Sequence, residues 1–199
     1  MSKTVDYYFA PQSPWTYLGH ERFVAMAEKA GASIRVMPVD LGRVFPISGG
    51  LPLPKRAPQR QVYRLVELGR FSKYLQLPMN ISPKYFPVSG DDAAKLIIAV
   101  DIHDGTVQAM RVASAIQKAC WAEERDIAAE QTLSEILAFL GLSAQRIEQS
   151  RTPAVQERYD LDTQRAIDMG VFGAPTYVLD GEMFWGQDRL DFVERKLMS

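Results

Sequence analysis

The sequence predicts an α/β domain whose sheet is assembled from the two ends of the chain around a long helical middle. Three observations carry this. Short β-branched and aromatic runs occur near the termini, at residues 3–9, 33–39, 175–179 and 182–185. From about 58 to 170 the apolar residues instead recur with a helical period. The first strand, helix and second strand follow one another closely, which favours a parallel pair with a right-handed crossover.

The elements follow in order. Residues 3–9 have the near-continuous apolar pattern of a buried strand. Ser13 is a preferred N-cap and Pro14 a preferred first helical residue, so a helix starts there and runs to about 30. Gly31 is a fitting stop. Ser33 to Val39 alternates and reads as strand two. Residues 40–58, with Ser48-Gly49-Gly50 and Pro52, Pro54 and Pro58, read as a long loop of the kind that carries function. A helix over 58–75 carries Val62, Leu65, Val66 and Leu68 and is stopped by Pro78. Asp91-Asp92 should cap the next helix, through Leu96, Ile97 and Val100. Further helices are expected at 104–123, 130–140, 143–149 and from Thr152-Pro153 to Gly170. Pro175 opens a strand, Asp180-Gly181 is a hairpin signal, and residues 182–185 form the returning strand. Gly186 to Leu190 should open a last helix running to about Met198. The expected division is 1–40 plus 160–199 as the α/β domain and 41–159 as an inserted helical domain. Sites favour such junctions.

Composition narrows the function. With 23 Lys+Arg against 24 Asp+Glu there is no basic excess to argue for nucleic acid. No apolar run approaches the ~20 residues of a membrane span. The N-terminus has one Lys, no long apolar core and enters a strand at once, which does not read as a signal peptide. The single cysteine, Cys120, excludes an internal disulfide, and the chain reads as cytoplasmic. Cys120 lies on a helix and reads as a small buried hydrophobe. His20 and His103 have no paired spacing, so no metal site is expected.

The informative stretch is Ser13-Pro14-Trp15-Thr16. It sits where strand one hands over to helix one, the place at which a thioredoxin-like protein carries Cys-x-x-Cys. Both sulfur positions are hydroxyls here, so dithiol–disulfide chemistry is excluded. The free N–H groups and the helix dipole can still hold another molecule's thiolate.

Together with Tyr17-Leu18, Pro52 to Arg56, Arg60 and Tyr63, Phe172-Gly173-Ala174-Pro175-Thr176 and Trp185 to Leu190, this tetrad resembles two related families. They are the 2-hydroxychromene-2-carboxylate isomerases and the kappa-class glutathione transferases, both relatives of DsbA. The resemblance covers nearly the whole chain in the expected order. It implies a thioredoxin-like fold with a large all-helical insertion, a cis Pro175 facing the first helix, and a homodimer. It also implies glutathione as the bound thiol.

On that reading Ser13 is the catalytic donor to the glutathione sulfur, not a nucleophile, since no motif supplies a histidine base. Ala174 and Pro175 offer backbone to the cysteinyl segment, as in strand addition. Gln187 and Asp188 take the γ-glutamyl end, and Trp185 and Arg60 complete the glutathione site. Lys55 and Arg60, with Tyr85, are the expected substrate-binding residues for an aromatic α-keto acid. Lys55, Arg56 and Arg60 form a basic cluster beside the cleft loop, and cations at a helix start oppose its dipole, which favours a carboxylate-binding role for them. Where the kappa pattern has Asn, this chain reads Ser48-Gly49-Gly50-Leu51, a departure from a strict kappa transferase. Three readings remain open: a glutathione-dependent isomerase, a kappa-type transferase or peroxidase, and a non-catalytic thiol-binding module.

Overall fold

A computed structural model describes residues 3–199. Four strands form one sheet in the order β2-β1-β3-β4. Strand β1 (Thr4–Phe9) pairs in parallel with β2 (Ser33–Pro38), aligning Tyr7 with Val36. On its other side β1 pairs antiparallel with β3 (Thr176–Leu179), aligning Tyr7 with Tyr177. β4 (Glu182–Trp185) closes the edge as a hairpin with β3. Asp180 and Gly181 both take left-handed φ, 53° and 79°, as a two-residue turn between twisted strands requires.

The central strands are held by aromatic stacking. The rings of Tyr7 and Tyr177 lie 5.3 Å apart and nearly parallel, and Phe23 of α1 (Pro14–Lys29) meets each at 4.7 Å. The helical middle contributes to the same core. Leu96 and Ile97 of α4 (Asp91–Asp104), Ile116 and Trp121 of α5 (Thr106–Trp121), and Leu133 and Leu137 of α6 (Glu130–Phe139) join the sheet residues in one apolar cluster. After them come α7 (Gln145–Ser150) and α8 (Pro153–Asp168). The expected boundary at 159/160 falls inside α8, whose Arg158 donates to the Val36 carbonyl of β2 at 3.2 Å.

Three expectations are corrected. Residues 40–58 are not all loop: α2 spans Leu41–Ser48, and a 3₁₀ turn spans Leu53–Lys55. The Asp40 carboxylate caps α2 by accepting from the Gly42 N–H at 2.7 Å, and Gly49 ends it with φ 76°. Gly and Pro were breakers in composition, but here Gly49 is simply the helix stop. Gly90, not Asp91, is the cap of α4, and both aspartates sit in its first turn. The last helix α9 begins at Leu190 and ends at Met198. Gln187–Arg189 form a separate 3₁₀ turn before it.

α3 spans Pro58–Leu75 as expected, but its packing is unusual. Val62, Leu65 and Val66 are exposed, while the buried residues are Leu68 and Arg64.

Candidate active site

Ser13 caps α1. Its Oγ accepts from the Thr16 N–H at 3.3 Å and donates across to the Ala174 carbonyl at 3.4 Å. The latter is a long bond that a better acceptor can replace. The peptide bond from Ala174 to Pro175 is cis. Ser13 is nearly buried at 8 % exposure. The Trp15 N–H is one of the donors that the first turn of a helix leaves without an intrahelical partner.

The Ala174-Pro175 segment is tied to the far end of the sheet. The Gly186 N–H donates to the Pro175 carbonyl at 2.9 Å, and Thr176 Oγ1 donates to the Gly173 carbonyl at 2.8 Å. The Trp185 indole lies against Gly173, where a Cβ would collide with its Nε1, and meets Phe172 edge-on at 4.7 Å.

Gly186 has φ 106°, beyond the reach of most side chains, and turns the chain into Gln187–Arg189. The Gln187 side chain is buried, with Oε1 accepting from Arg22 at 2.9 Å and Nε2 without a partner among the described residues, and the Gln187 carbonyl accepts from Arg22 at 3.4 Å. Asp188 is half-exposed and paired with Arg189 at 2.7 Å.

These elements form one side of a cleft of about 750 Å³. The other side is α3 with the segment before it: Phe45, Leu51, Arg56, Arg60, Arg64 and Phe71. Trp15 of α1 meets Phe71 of α3 edge-on at 6.1 Å. Of the residues expected to bind, Arg60, Ala174, Trp185, Gln187 and Asp188 line this cleft. Ser13 reaches its margin through Ala174.

Lys55, Tyr85 and Pro175 are not among the residues that line it. Lys55 ends an exposed 3₁₀ turn, and the next residue, Arg56, turns inward instead. Tyr85 lies under the Lys84 ammonium, 5.0 Å from ring centre to Nζ.

Sequence reasoning missed Arg64. Its guanidinium lies over the rings of Phe86 at 5.2 Å and Trp121 at 5.8 Å. Burial, then the charge of Arg56, lowers its pKa to about 10. Its spacing four residues from Arg60 was the available signal, since i and i+4 share a helix face.

Residues 4–198 match the family model described as a DSBA-like thioredoxin domain. The chain belongs to this family. It is 30 % identical to a 2-hydroxychromene-2-carboxylate isomerase of Sphingobium xenophagum, over 100 % of both chains. It is 26 % identical to glutathione S-transferase kappa 1 of Caenorhabditis elegans, over 95 % of this chain and 88 % of that one. A solved structure of a 2-hydroxychromene-2-carboxylate isomerase superposes with TM-score 0.82 at 28 % identity, covering 98 % of this chain and 94 % of the other. These relatives support an isomerase within the DsbA-like group.

The site's residues fit a thiol peptide. Ser13 offers a hydroxyl donor at a helix start, Ala174 an extended backbone before a cis proline, and Asp188 a half-exposed carboxylate in the cleft.

Proposed function

We propose that the protein is a glutathione-dependent isomerase of the 2-hydroxychromene-2-carboxylate type, converting an aromatic α-keto acid between cis and trans forms. The observation that carries the reading is Ser13. Its hydroxyl stands at the N-terminus of α1, beside Ala174 and the cis Pro175, at the edge of a cleft walled by arginines and aromatic rings. The full-length likeness to proteins named as such isomerases supports it.

Glutathione, when bound, supplies a thiolate whose reversible addition to a conjugated double bond permits rotation about it. The chain's residues make that thiolate available. Ser13 Oγ–H turns from the Ala174 carbonyl to the sulfur, and the α1 N-terminus adds positive potential. A hydrogen bond to a charged acceptor is worth about 1.5–3 kcal/mol. Asp188 pairs the γ-glutamyl amine, and the backbone of Gln187 and Asp188 takes its carboxylate. Ala174 pairs with the cysteinyl backbone, and Trp185 and Pro175 complete the seat. On the opposite wall Arg60 and its neighbours stabilise the substrate's carboxylate and the negative charge that develops on its keto oxygen. The aromatic lining, Trp15, Phe71 and Phe172, receives the ring.

The test follows substrate absorbance with sub-stoichiometric glutathione. An isomerase turns over many substrates per glutathione. Product limited to one per glutathione consumed would establish the second reading, a kappa-type transferase, which the 26 % identical relative favours. Calorimetry with reduced glutathione supplies the binding arm. No binding at millimolar ligand would sink both readings.

A further inference from the structure

The cleft's two walls differ in how their charges are met. On the Gln187–Arg189 side each charge has a partner: Arg189 pairs with Asp188, and Arg22 donates to the Gln187 amide. On the α3 side Arg64 has none. It is 9 % exposed and lines the cleft. Among the described residues no hydrogen bond or carboxylate falls on it. The acid one turn along, Glu67, is taken by Arg70 at 2.6 Å. Arg56, its neighbouring cation, spends Nε on the Leu51 carbonyl at 2.8 Å.

A buried charge without a partner is costly. Phe86 and Trp121 relieve part of that cost by lying against the guanidinium. They accept none of its five N–H donors. A buried guanidinium with open donors, held between rings at a cleft wall, is a receptor for a planar anion.

We propose that Arg64 is the specificity-determining residue for the second substrate, taking its carboxylate so that the cleft selects ionised aryl acids over neutral isosteres. This rests on the reading of the cleft as the place where substrate meets thiol. The substrate's ring then lies against Trp15 and Phe71. Arg60 plays a lesser part, because it is exposed and its attraction is screened by water and salt.

The probes are trans-benzylidenepyruvate and its amide, which share a skeleton and differ in charge. Calorimetry without glutathione avoids any reaction. Wild type is expected to prefer the acid by about 10- to 100-fold, the range for a charge-assisted bond to a buried cation. Arg64→Gln should bring the two ligands to near parity while leaving affinity for the amide and for reduced glutathione unchanged. Arg64→Lys should restore part of the preference, and Arg60→Gln should lower it less than Arg64→Gln does.

The proposal is overturned if wild type shows no preference, or if Arg64→Gln retains it. It is equally overturned if Arg64→Gln weakens glutathione and spares the acid, since Arg64 would then serve the peptide. Should Arg64→Gln fail to fold, salt decides on wild type. A preference at a buried cation survives from low to physiological salt, and one that vanishes belongs to exposed charge. Isomerisation and acid preference are separate readouts. Acid preference at Arg64 without turnover would overturn only the proposed reaction. Turnover with an indifferent Arg64 would overturn only this assignment.

Discussion

α1 and α3 face each other across the cleft and are built by opposite rules. α1 buries eight of its 16 residues and α3 two of its 18. The polar groups of α1 are largely met from within. Ser13 caps its first turn, Tyr17 donates to the Pro78 carbonyl at 2.6 Å, and His20 is enclosed between Tyr7 and the Met110 carbonyl. α3 turns apolar Val62 and Val66 to solvent and keeps an arginine inside. The α1 wall is well packed, although Thr16 Oγ1 on it is buried without a hydrogen-bond partner among the described residues. The α3 wall, which the proposed function gives to the substrate, carries unmet charge at Arg64. Such unmet charge trades stability for binding.

The largest expected effect breaks the α1 side. On the proposed function, Ser13→Ala removes the donor to the guest sulfur and should cut turnover by about 10- to 100-fold, following a charge-assisted bond of about 1.5–3 kcal/mol. Its cost as a lost N-cap is about 1 kcal/mol, so the variant should fold. Ultraviolet absorbance of bound glutathione measures the thiolate, which should appear at higher pH than in wild type. An unchanged titration would leave activation to the helix terminus alone.

Gly19→Ala tests how tightly α1 is set against the Gln187 turn. A Cβ there would lie 2.8 Å from Gln187 Cβ and 3.1 Å from the Tyr177 hydroxyl. Overpacking of this kind costs about 1–3 kcal/mol. Urea unfolding should show a lower midpoint with unchanged slope, and glutathione affinity should fall with it because Gln187 and Asp188 move together.

A smaller effect concerns His20. Its Nε2–H donates to the Met110 carbonyl at 3.0 Å, so Nδ1 accepts from the Tyr7 hydroxyl at 3.1 Å. Burial lowers its pKa below the ordinary 6.5, the Met110 bond opposing. The unfolded chain therefore takes up a proton below about pH 6.5 that the folded chain refuses. Stability should be unaffected by this group above that pH and should fall as pH drops below it. Melting temperature against pH, in wild type and His20→Gln, isolates the slope. An equal slope in both would remove His20 from the account.

The smallest effect sharpens the α3 side. Arg64→Met replaces an unpaired buried charge by a side chain of similar length, an exchange that is often neutral or stabilising. The unliganded melting temperature should stay level or rise. A marked fall would mean that the stacking on Phe86 and Trp121 outweighs the buried charge, and that Arg64 belongs to the core.

Much of this was legible in residue order. The strands at both termini, the Ser13-Pro14 helix start, the Asp180-Gly181 turn and the middle helices follow from local signals, because caps, turns and periodicity act within a few residues. α2 was not legible, since its Gly and Pro residues speak against a helix until Asp40 is seen capping it. The basic cluster of Lys55, Arg56 and Arg60 was legible, but not that Arg56 and Arg60 line the cleft while Lys55 does not. Adjacent residues point to different sides, and only packing chooses between them.

The sequence by itself determined the order of the elements and the hydroxyls, in place of thiols, at Ser13 and Thr16, because each depends on residue identity alone. Tertiary structure decided which distant groups meet. It set Ser13 against Ala174, 161 residues away in the chain. It also enclosed Arg64 between Phe86 and Trp121 with its donors unmet. Helical periodicity marks a face but not what lies opposite, and only packing brought Arg64 to the cleft wall with two rings and, among the described residues, no acid against it.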